Sequence, residues 1–480
     1  MRVLCAFPEA MPSSNSRPPA CLAPVALFLA LLFHLSFSSQ VGDRRPLPVD
    51  RAPGLKEKTL ILLDVSTKNP VRTVNENFLS LQLDPSIIHD GWLDFLSSKR
   101  LVTLARGLSP AFLRFGGKRT DFLQFQNLRN PAKSRGGPGP DYYLKNYEDE
   151  PNNYRIMHGR AVNGSQLGKD YIQLKSLLQP IRIYSRASLY GPNIGRPRKN
   201  VIALLDGFMK VAGSTVDAVT WQHCYIDGRV VKVMDFLKTR LLDTLSDQIR
   251  KIQKVVNTYT PGKKIWLEGV VTTSAGGTNN LSDSYAAGFL WLNTLGMLAN
   301  QGIDVVIRHS FFDHGYNHLV DQNFNPLPDY WLSLLYKRLI GPKVLAVHVA
   351  GLQRKPRPGR VIRDKLRIYA HCTNHHNHNY VRGSITLFII NLHRSRKKIK
   401  LAGTLRDKLV HQYLLQPYGQ EGLKSKSVQL NGQPLVMVDD GTLPELKPRP
   451  LRPGRTLVIP PVTMGFYVVK NVNALACRYR

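Results

Sequence analysis

The sequence predicts an α/β protein in which a (β/α)-barrel of the TIM type is followed by a C-terminal β-sandwich domain. Between residues 78 and 340, short apolar strands alternate with helical patterns, as in a parallel sheet covered by helices. From about residue 343, strand-like runs separated by Gly, Pro and Asn turns replace this alternation. The chain has 480 residues, 43% of them hydrophobic, which is enough for two domains with buried cores.

The barrel has six countable strands in the sequence, whereas a complete TIM barrel has eight. The strands are predicted at 78–83, 110–117, 188–191, 216–221, 264–268 and 303–308. The helices are predicted at 90–107, 165–178, 199–212, 231–258, 282–300 and 329–340. Residues 127–155 are rich in Pro, Gly and Asn and have no periodicity, so they predict a linker inside the barrel domain.

We expect the incomplete barrel to span residues 77–341 and the sandwich to span residues 342–480. The sandwich strands are predicted at 343–349, 366–371, 384–392, 409–415, 427–430, 435–438, 456–459 and 464–470. The N-terminal segment 43–76 contains a further apolar run at 59–65. This run is expected to contribute one strand to the sandwich.

Residues 1–42 predict a secretory signal peptide, because a basic region precedes the uncharged apolar stretch 21–33 and small residues follow it. The alternative is a transmembrane anchor, for which the apolar run is long enough only if the following serines are counted. No later segment approaches 18 uninterrupted apolar residues. We therefore expect a secreted protein of the extracellular space and matrix that does not span a membrane.

Sequons and cysteines fit the secretory route. Asn163 and Asn280 each begin an Asn-x-Ser sequon and are predicted glycosylation sites. Removal of the signal peptide leaves Cys224, Cys372 and Cys477. Three is an odd number, so one disulfide and one free thiol is the simplest arrangement.

The charge of the chain predicts an anionic partner. Lys and Arg number 66 against 33 Asp and Glu, which gives a net charge of +33. Nucleic acid, anionic membrane and sulfated polysaccharide are the candidates. A secreted protein seldom meets DNA, so we expect heparan sulfate or heparin, with association to cell-surface proteoglycans and no nucleic acid.

Three basic clusters are candidate heparan sulfate-binding segments, since Arg and Lys recognise sulfate and carboxylate through charge-assisted hydrogen bonds. Their residues are Arg196, Arg198 and Lys199; Arg354, Lys355 and Arg357; and Arg394, Arg396, Lys397 and Lys398. The alternative for any one cluster is a basic face that is merely solvated.

Several long tracts carry a resemblance to a known family. The tracts are Leu113-Arg114-Phe115-Gly116-Gly117, Glu150-Pro151-Asn152, Leu189-Tyr190-Gly191-Pro192, Val219-Thr220-Trp221, Lys264-Ile265-Trp266-Leu267, Pro326-Leu327-Pro328-Asp329-Tyr330-Trp331-Leu332-Ser333-Leu334 and Ser425-Lys426-Ser427-Val428-Gln429-Leu430-Asn431-Gly432. They resemble the heparanases of glycoside hydrolase family 79. The resemblance implies a (β/α)8 barrel beside a β-sandwich, and the differences make the chain similar to members that do not cleave. It also implies a Cys372–Cys477 closing disulfide and a heparin-binding role for the segment around Arg196.

The chain departs from the family pattern between Gly117 and Glu150. The family has two further βα units there, whereas here Asp149 directly precedes Glu150 and Pro151. The third and fourth strands are therefore expected to be missing, as in a shortened splice form. Strand number, tilt and shear are linked in a barrel, so this loss exposes two edges or forces another closure.

Retaining glycosidases need an acid/base carboxylate and a nucleophilic carboxylate. Glu150 matches the family's acid/base but lacks the strand that should hold it, so a solvated loop glutamate is the alternative. The family's Trp-Leu-Gly-Glu nucleophile motif appears here as Trp266-Leu267-Glu268-Gly269. Strand side chains alternate faces, so Glu268 is expected to turn away from the barrel axis unless a bulge restores it. The sequence therefore predicts a pseudoenzyme.

Other polar residues are weaker candidates. Arg308, His309 and His314 lie at or past the end of the last barrel strand and either contact sugar or form local hydrogen bonds. The residues His371, His375, His376 and His378 suggest a metal site, but a hairpin turn next to a disulfide-bonded Cys372 is the favoured interpretation. We expect no metal and no cofactor.

The sequence thus favours a secreted heparan sulfate-binding protein without heparanase activity. The resemblance implies that it restrains heparanase, either by competing for substrate or by direct association. An active endo-β-glucuronidase and a misfolded splice form without function are the alternatives.

Overall fold

The structure is a computed structural model that describes residues 60–84, 87, 97–117, 163–229, 231–274, 276–312, 315–350 and 365–479. The predicted signal peptide, Glu150, His314 and the cluster of Arg354, Lys355 and Arg357 lie outside these residues.

Nineteen strands and six α-helices are found in the described residues. The strands are β1 Leu60–Val65, β2 Arg72–Thr73, β3 Leu79–Leu83, β4 Leu113–Phe115, β5 Tyr190–Ile194, β6 Ala218–Ile226, β7 Lys264–Thr273, β8 Val305–Phe312, β9 Ile340–Leu345, β10 Val347–Ala350, β11 Leu366–Thr373, β12 Ile385–Asn391, β13 Lys397–Leu401, β14 Val410–Pro417, β15 Val428–Leu430, β16 Gln433–Pro434, β17 Arg449–Leu451, β18 Leu457–Ile459 and β19 Thr463–Val469. The helices are α1 Lys99–Gly107, α2 Gly164–Leu178, α3 Lys199–Ala212, α4 Thr239–Tyr259, α5 Tyr285–Asn300 and α6 Pro328–Leu339.

The barrel strands form one curled parallel sheet of six strands in the order β4-β3-β8-β7-β6-β5. This is the order of a TIM barrel opened between its second and fifth strands, so the predicted fold class is confirmed. The open edges carry exposed apolar side chains, with Leu113 61% and Phe115 41% exposed. In a complete barrel, neighbouring strands would cover such edges.

The helix predicted at 231–258 is wrong at its start. Val233–Leu237 forms a 3₁₀ turn, and the following Lys238 has an extended backbone before α4 begins. The reason is local, because the Asp235 carboxylate accepts a hydrogen bond from the backbone N–H of Lys232 and closes the short turn. No helix in the described part of the chain is long and apolar enough to cross a membrane.

The C-terminal strands form two sheets. A four-stranded sheet, β10-β1-β13-β18, includes the N-terminal strand β1, which pairs with β10 and β13. The second sheet has nine strands and runs β16-β15-β14-β19-β12-β11-β9-β2, with β17 paired to β14. Apolar side chains from β1, β11, β12 and β13 form a shared core between the sheets. The sequence therefore places β1 in the right layer.

Some short strands differ from the sequence prediction. β13 was not predicted, because its Lys-rich sequence hides the alternation in which only Ile399 and Leu401 are buried. The strand predicted at 435–438 is wrong, since Val436 and Val438 are 64% and 68% exposed and have no face to pack on. Only Gln433–Pro434 pairs there.

The predicted disulfide is present. Cys372 on β11 bonds to Cys477 in the C-terminal 3₁₀ turn, across a sequence separation of 105 residues. In the chain-entropy model a loop of this length stabilises the fold by about 4–5 kcal/mol. Cys224 on β6 is buried and takes no part in this disulfide.

Helix α5 joins the barrel to the sandwich. Every residue from Tyr285 to Ala299 is buried, so this helix has no solvent-facing side. Gly296 allows Tyr369 of β11 to approach, since a Cβ there would lie 2.5 Å from the tyrosine ring. Gly288 likewise allows Met464 of β19 to approach, since a Cβ at position 288 would lie 2.7 Å from Met464 Cε. The sandwich therefore packs directly on the helix backbone.

We expect Gly296→Ala to lower the free energy of unfolding by about 1–2 kcal/mol. Overpacking a core costs about 1–3 kcal/mol, whereas alanine recovers only about 1 kcal/mol of helix propensity. Urea denaturation of the full chain measures the change. Ser176→Ala, on an exposed position of α2, is the control and should stay within about 0.5 kcal/mol. Equal effects of the two substitutions would contradict the packing argument.

Candidate functional site

The concave face of the six-stranded sheet carries a polar cluster. Leu81 and Leu83 of β3 and Leu267 of β7 belong to the core on the helix side of the sheet. Because strand side chains alternate, the intervening Gln82 and the following Glu268 face the opposite side. This cluster lies toward the carboxyl ends of the strands, where TIM-barrel sites are built.

A bulge in β7 makes Glu268 and the following Gly269 face the same side of the sheet. Leu267 pairs with Trp221 of β6, and Gly269 pairs with the next residue, Gln222, so Glu268 is the extra residue. The expectation that Glu268 turns away from the barrel axis is therefore wrong. Alternation fails between Glu268 and Gly269, because the extra residue lets both positions face the concave side.

Arg114 of β4 neutralises Glu268. Its Nε donates to Glu268 Oε1 at 2.8 Å, and its Nη1 donates to Gln82 Oε1 at 2.7 Å. The Arg114 and Glu268 side chains are only 12% and 13% exposed. Gln82 Nε2 donates in turn to the Gly116 carbonyl oxygen at 2.8 Å, which fixes the amide. The carboxylate is held in an ion pair.

Gly269 occupies the position that the family motif assigns to the nucleophile. A Cβ built there would lie 3.5 Å from Gln222 Cγ and 3.9 Å from Gln82 Oε1, so the position faces the cluster. Glycine supplies no carboxylate to attack a sugar. Glu150, the counterpart of the acid/base, lies outside the described residues. The described site therefore lacks the nucleophile that a retaining mechanism needs.

The concave face nevertheless keeps polar groups. Asn193, Thr220, Gln222 and Trp266 each place at least one buried side-chain N or O atom without a hydrogen-bond partner in the described chain. Buried polar atoms are normally bonded, so such orphans indicate a ligand or water position. The face is thus lined for polar contacts although its nucleophile is absent.

Three stacked aromatic rings link the open edges of the sheet. Trp266 of β7 stacks on Tyr190 of β5 with ring centroids 4.3 Å apart and on Phe112, next to β4, at 5.3 Å. Offset stacking of this kind contributes about 0.5–1.5 kcal/mol per pair beyond area burial. The stack connects the two edge strands through side chains rather than backbone hydrogen bonds.

Arg308 does not face a sugar site. Its guanidinium is 1% exposed, donates to Asp329 Oδ2 of α6 at 3.0 Å and lies 5.3 Å from the Trp291 ring centroid. Burial lowers the pKa of Arg308 and raises the pKa of Asp329 to about 6. The sugar-contact interpretation of Arg308 is wrong, because the pair belongs to the packing of β8 on its helices. His309 precedes a cis peptide bond in β8.

Arg196, Arg198 and Lys199 surround the start of α3, directly after β5. All three are exposed, and Arg198 is the N-cap residue without a side-chain cap bond. The first turn of α3 has no acidic residue. Burial lowers the pKa of His223 on β6 to about 3, and the positive charge of Arg196 contributes to this shift. The cations and the uncapped first turn together give this end of α3 a positive charge.

Arg394, Arg396, Lys397 and Lys398 lie on the outer sheet of the sandwich. Arg394, Arg396 and Lys398 are exposed, whereas Lys397 is half-buried. In β13 the pleat turns Lys398 and Lys400 to the outside, beside Leu60 and Leu62 of β1. The structure thus keeps two described basic clusters, one on the barrel and one on the sandwich. The Arg354 cluster lies outside the described residues.

Both sequon asparagines are exposed. Asn163 is the N-cap of α2, with its Oδ1 accepting from the Ser165 N–H at 2.9 Å. Asn280 lies in a loop with φ of 59°. Glycosylation of either stays a prediction.

Comparisons with known proteins place the chain in a family. No protein-family model matches it. It is 80% identical to a Homo sapiens protein named inactive heparanase-2, over 100% of both chains. It is 38% identical to Mus musculus heparanase, over 86% of this chain and 94% of that relative. The chain belongs to the heparanase family.

Solved glycosidases share the fold. A 4-O-α-L-rhamnosyl-β-D-glucuronidase from Fusarium oxysporum matches 85% of the chain with a TM-score of 0.58 and 12% identity. An α-L-arabinofuranosidase from Thermotoga maritima matches 85% with a TM-score of 0.56 and 11% identity. At these identities the likeness shows the fold, which is that of a glycoside hydrolase.

The comparison with the human relative also shows how many aligned positions have no residue in this chain. The alignment spans 592 positions and this chain has 480 residues, so 592 − 480 = 112 positions have no residue here. A difference of this size agrees with the loss of two βα units, each of about 30 residues or more.

The chain is a heparanase-related pseudoenzyme. The relatives named inactive heparanase-2 match it end to end, and the described face has an ion-paired Glu268 beside Gly269. The alternative of an active endo-β-glucuronidase is therefore wrong. Arg114 is the residue that sequence reasoning missed, although it lies in the Leu113–Gly117 tract that resembles the family.

We expect Arg114→Met to lower the free energy of unfolding by about 2–3 kcal/mol, because it leaves the Glu268 carboxylate partly buried and unpaired. The double variant Arg114→Met/Glu268→Leu should lose at least about 1 kcal/mol less than the sum of the single variants. Urea denaturation of all four proteins measures the coupling. Additivity within about 0.5 kcal/mol would mean that the two side chains do not interact.

Proposed function

We propose that this chain is a secreted protein of the extracellular matrix that binds heparan sulfate or heparin without cleaving it. The observation that carries the proposal is the exposed group of Arg196, Arg198 and Lys199 at the N-terminus of α3. The net charge of +33 and the membership in the heparanase family support the same ligand.

The α3 terminus suits a sulfate group for two physical reasons. The first-turn N–H groups have no side-chain cap and carry the positive end of the helix dipole. The guanidinium groups of Arg196 and Arg198 can hold sulfate oxygens bidentately, whereas Lys199 adds a point charge. An extended sulfated chain would lie from this terminus toward the polar concave face.

The sandwich cluster offers a second contact region. Lys398 and Lys400 face outward on β13, and Arg394 and Arg396 lie in the preceding turn. Leu62, 43% exposed, lies beside Lys400 and gives the surface an apolar component. A polymeric ligand could engage several such clusters at once, which raises the overall affinity.

Binding without cleavage would restrain heparanase. A bound chain is withdrawn from the active enzyme, and direct association of the two proteins is the other route to the same result. The charge of this chain favours substrate competition, because heparan sulfate is the polyanion. Association with cell-surface proteoglycans follows from the same binding.

We expect Arg196→Ser/Arg198→Ser/Lys199→Ser to bind heparin about tenfold more weakly or worse at physiological salt. Exposed charge contacts contribute about 0.5–1 kcal/mol each, and about 1.4 kcal/mol corresponds to tenfold. Protein recovered from conditioned medium is eluted from a heparin column with rising salt. The wild-type chain should elute well above physiological salt.

The control variant removes the same charge elsewhere. Arg240→Ser/Lys251→Ser/Lys254→Ser changes three exposed cations of α4. It should elute at a salt concentration close to that of the wild type. If the loss of net charge alone mattered, both triple variants would elute at equally lower salt concentrations. Elution of the wild type at physiological salt would exclude heparan sulfate binding. Absence of the wild type from the medium would favour the misfolded-isoform alternative.

We also expect the chain to slow cleavage of heparan sulfate by active heparanase in proportion to its concentration relative to substrate. Excess substrate should relieve the inhibition if competition is the mechanism. The Arg196→Ser/Arg198→Ser/Lys199→Ser variant should inhibit more weakly. Inhibition that is independent of substrate and unchanged in this variant would instead support direct association.

A further inference from the structure

Two loops that are far apart in sequence bring Glu76, His375 and His376 together. Glu76 precedes β3 of the barrel, and the two histidines lie in the turn between β11 and β12 of the sandwich. One ligand atom from each residue lies within 4.8 Å of the other two. The three side chains line a common pocket with Asn75 and Asn374.

The histidine turn is held in place by asparagine side chains. Asn374 Nδ2 donates to the Lys337 carbonyl oxygen at 2.7 Å, and Asn377 Nδ2 donates to the Arg338 carbonyl oxygen at 2.9 Å. Asn374 Oδ1 also accepts from the His376 N–H at 3.0 Å. These bonds attach the turn to the last residues of α6. The histidines are therefore presented by a fixed backbone.

The loop of Glu76 is similarly fixed. The Asn75 side chain accepts from the Asn77 N–H at 2.8 Å, and the Asn75 N–H donates to the Asp304 carbonyl oxygen at 3.3 Å. The Val74 N–H donates to the Pro342 carbonyl oxygen at 2.9 Å. Both halves of the cluster thus rest on hydrogen-bonded scaffolds, which is the support that metal ligands need.

The three side chains suit a cation. Glu76 forms no ion pair within the described residues, so its carboxylate charge is available. The His375 and His376 rings lie with centroids 3.9 Å apart. Lys337 also lines the pocket, and its Nζ donates to the Pro110 carbonyl oxygen.

We propose that Glu76, His375 and His376 bind a zinc ion. Two imidazoles and one carboxylate are a known zinc ligand set, with water in the fourth position. Ligand atoms around tetrahedral zinc lie roughly 3.3–3.5 Å apart, given bonds of about 2.0–2.2 Å. The ligand atoms of the three residues lie up to 4.8 Å apart. Because Glu76 and His376 are exposed, rotation of their side chains can shorten these distances to the range that zinc needs.

The ion would connect the barrel to the sandwich. Its carboxylate ligand belongs to the loop that enters the first barrel strand, and its imidazole ligands belong to the sandwich hairpin. Binding to the folded state alone stabilises that state by mass action. The sequence by itself led us to expect no metal, because it shows the histidines without the glutamate that lies about 300 positions earlier.

Isothermal titration of the chelator-treated full chain with zinc chloride tests the proposal. We expect saturable binding of one zinc ion, which Glu76→Gln and His376→Asn each weaken about tenfold or more, since even supporting residues cost about 10–100-fold. Cobalt in place of zinc should show the visible absorption of a four-coordinate ion and lose it in Glu76→Gln. Circular dichroism of the metal-free variants checks that they fold.

His378→Asn is the matched control, because His378 lies exposed in the same turn and outside the cluster. It should bind zinc within twofold of the wild type. The proposal is overturned if the wild type takes up no zinc. It is equally overturned if Glu76→Gln leaves the affinity unchanged, or if His378→Asn weakens it as much as His376→Asn does.

Discussion

The close packing of α5 between two layers is the constraint on which the rest of this molecule depends. The helix presents glycines where the sandwich approaches, and Asn293 accepts hydrogen bonds from Tyr369 and Arg367 of the neighbouring sheet. Tyr285 donates from the other end of the helix to the Leu415 carbonyl oxygen. The six described strands do not close into a barrel, and α5 joins them to the sandwich.

A local change in β7 leaves the described face without the family's nucleophile. In a regular strand, only one of the adjacent positions 268 and 269 could face the cluster. The bulge instead keeps the carboxylate inside, where Arg114 neutralises it. Loss of a nucleophile therefore leaves a polar, largely buried cluster that links β3, β4 and β7.

Sequence periodicity predicted the elements that bury one face regularly, and failed where burial is irregular. The six barrel strands, helices α2, α3, α5 and α6, and strand β1 were found near their expected positions. The strand β13 was missed because its buried residues alternate with lysines, and the bulge at Glu268 has no signature in the residues themselves. The disulfide was predictable from the family resemblance, not from cysteine spacing.

The sequence by itself determined the fold class, the excess of positive charge, the basic segment around Arg196 and the absence of a carboxylate at Gly269. These are properties of composition, periodicity and single positions, which need no neighbours to define them. Only the tertiary structure decided that Arg114 meets Glu268, that Arg308 is buried against Asp329, and that Glu76 joins the histidine turn. Each of these depends on contacts between segments far apart in the chain, and such contacts exist only after the layers have packed.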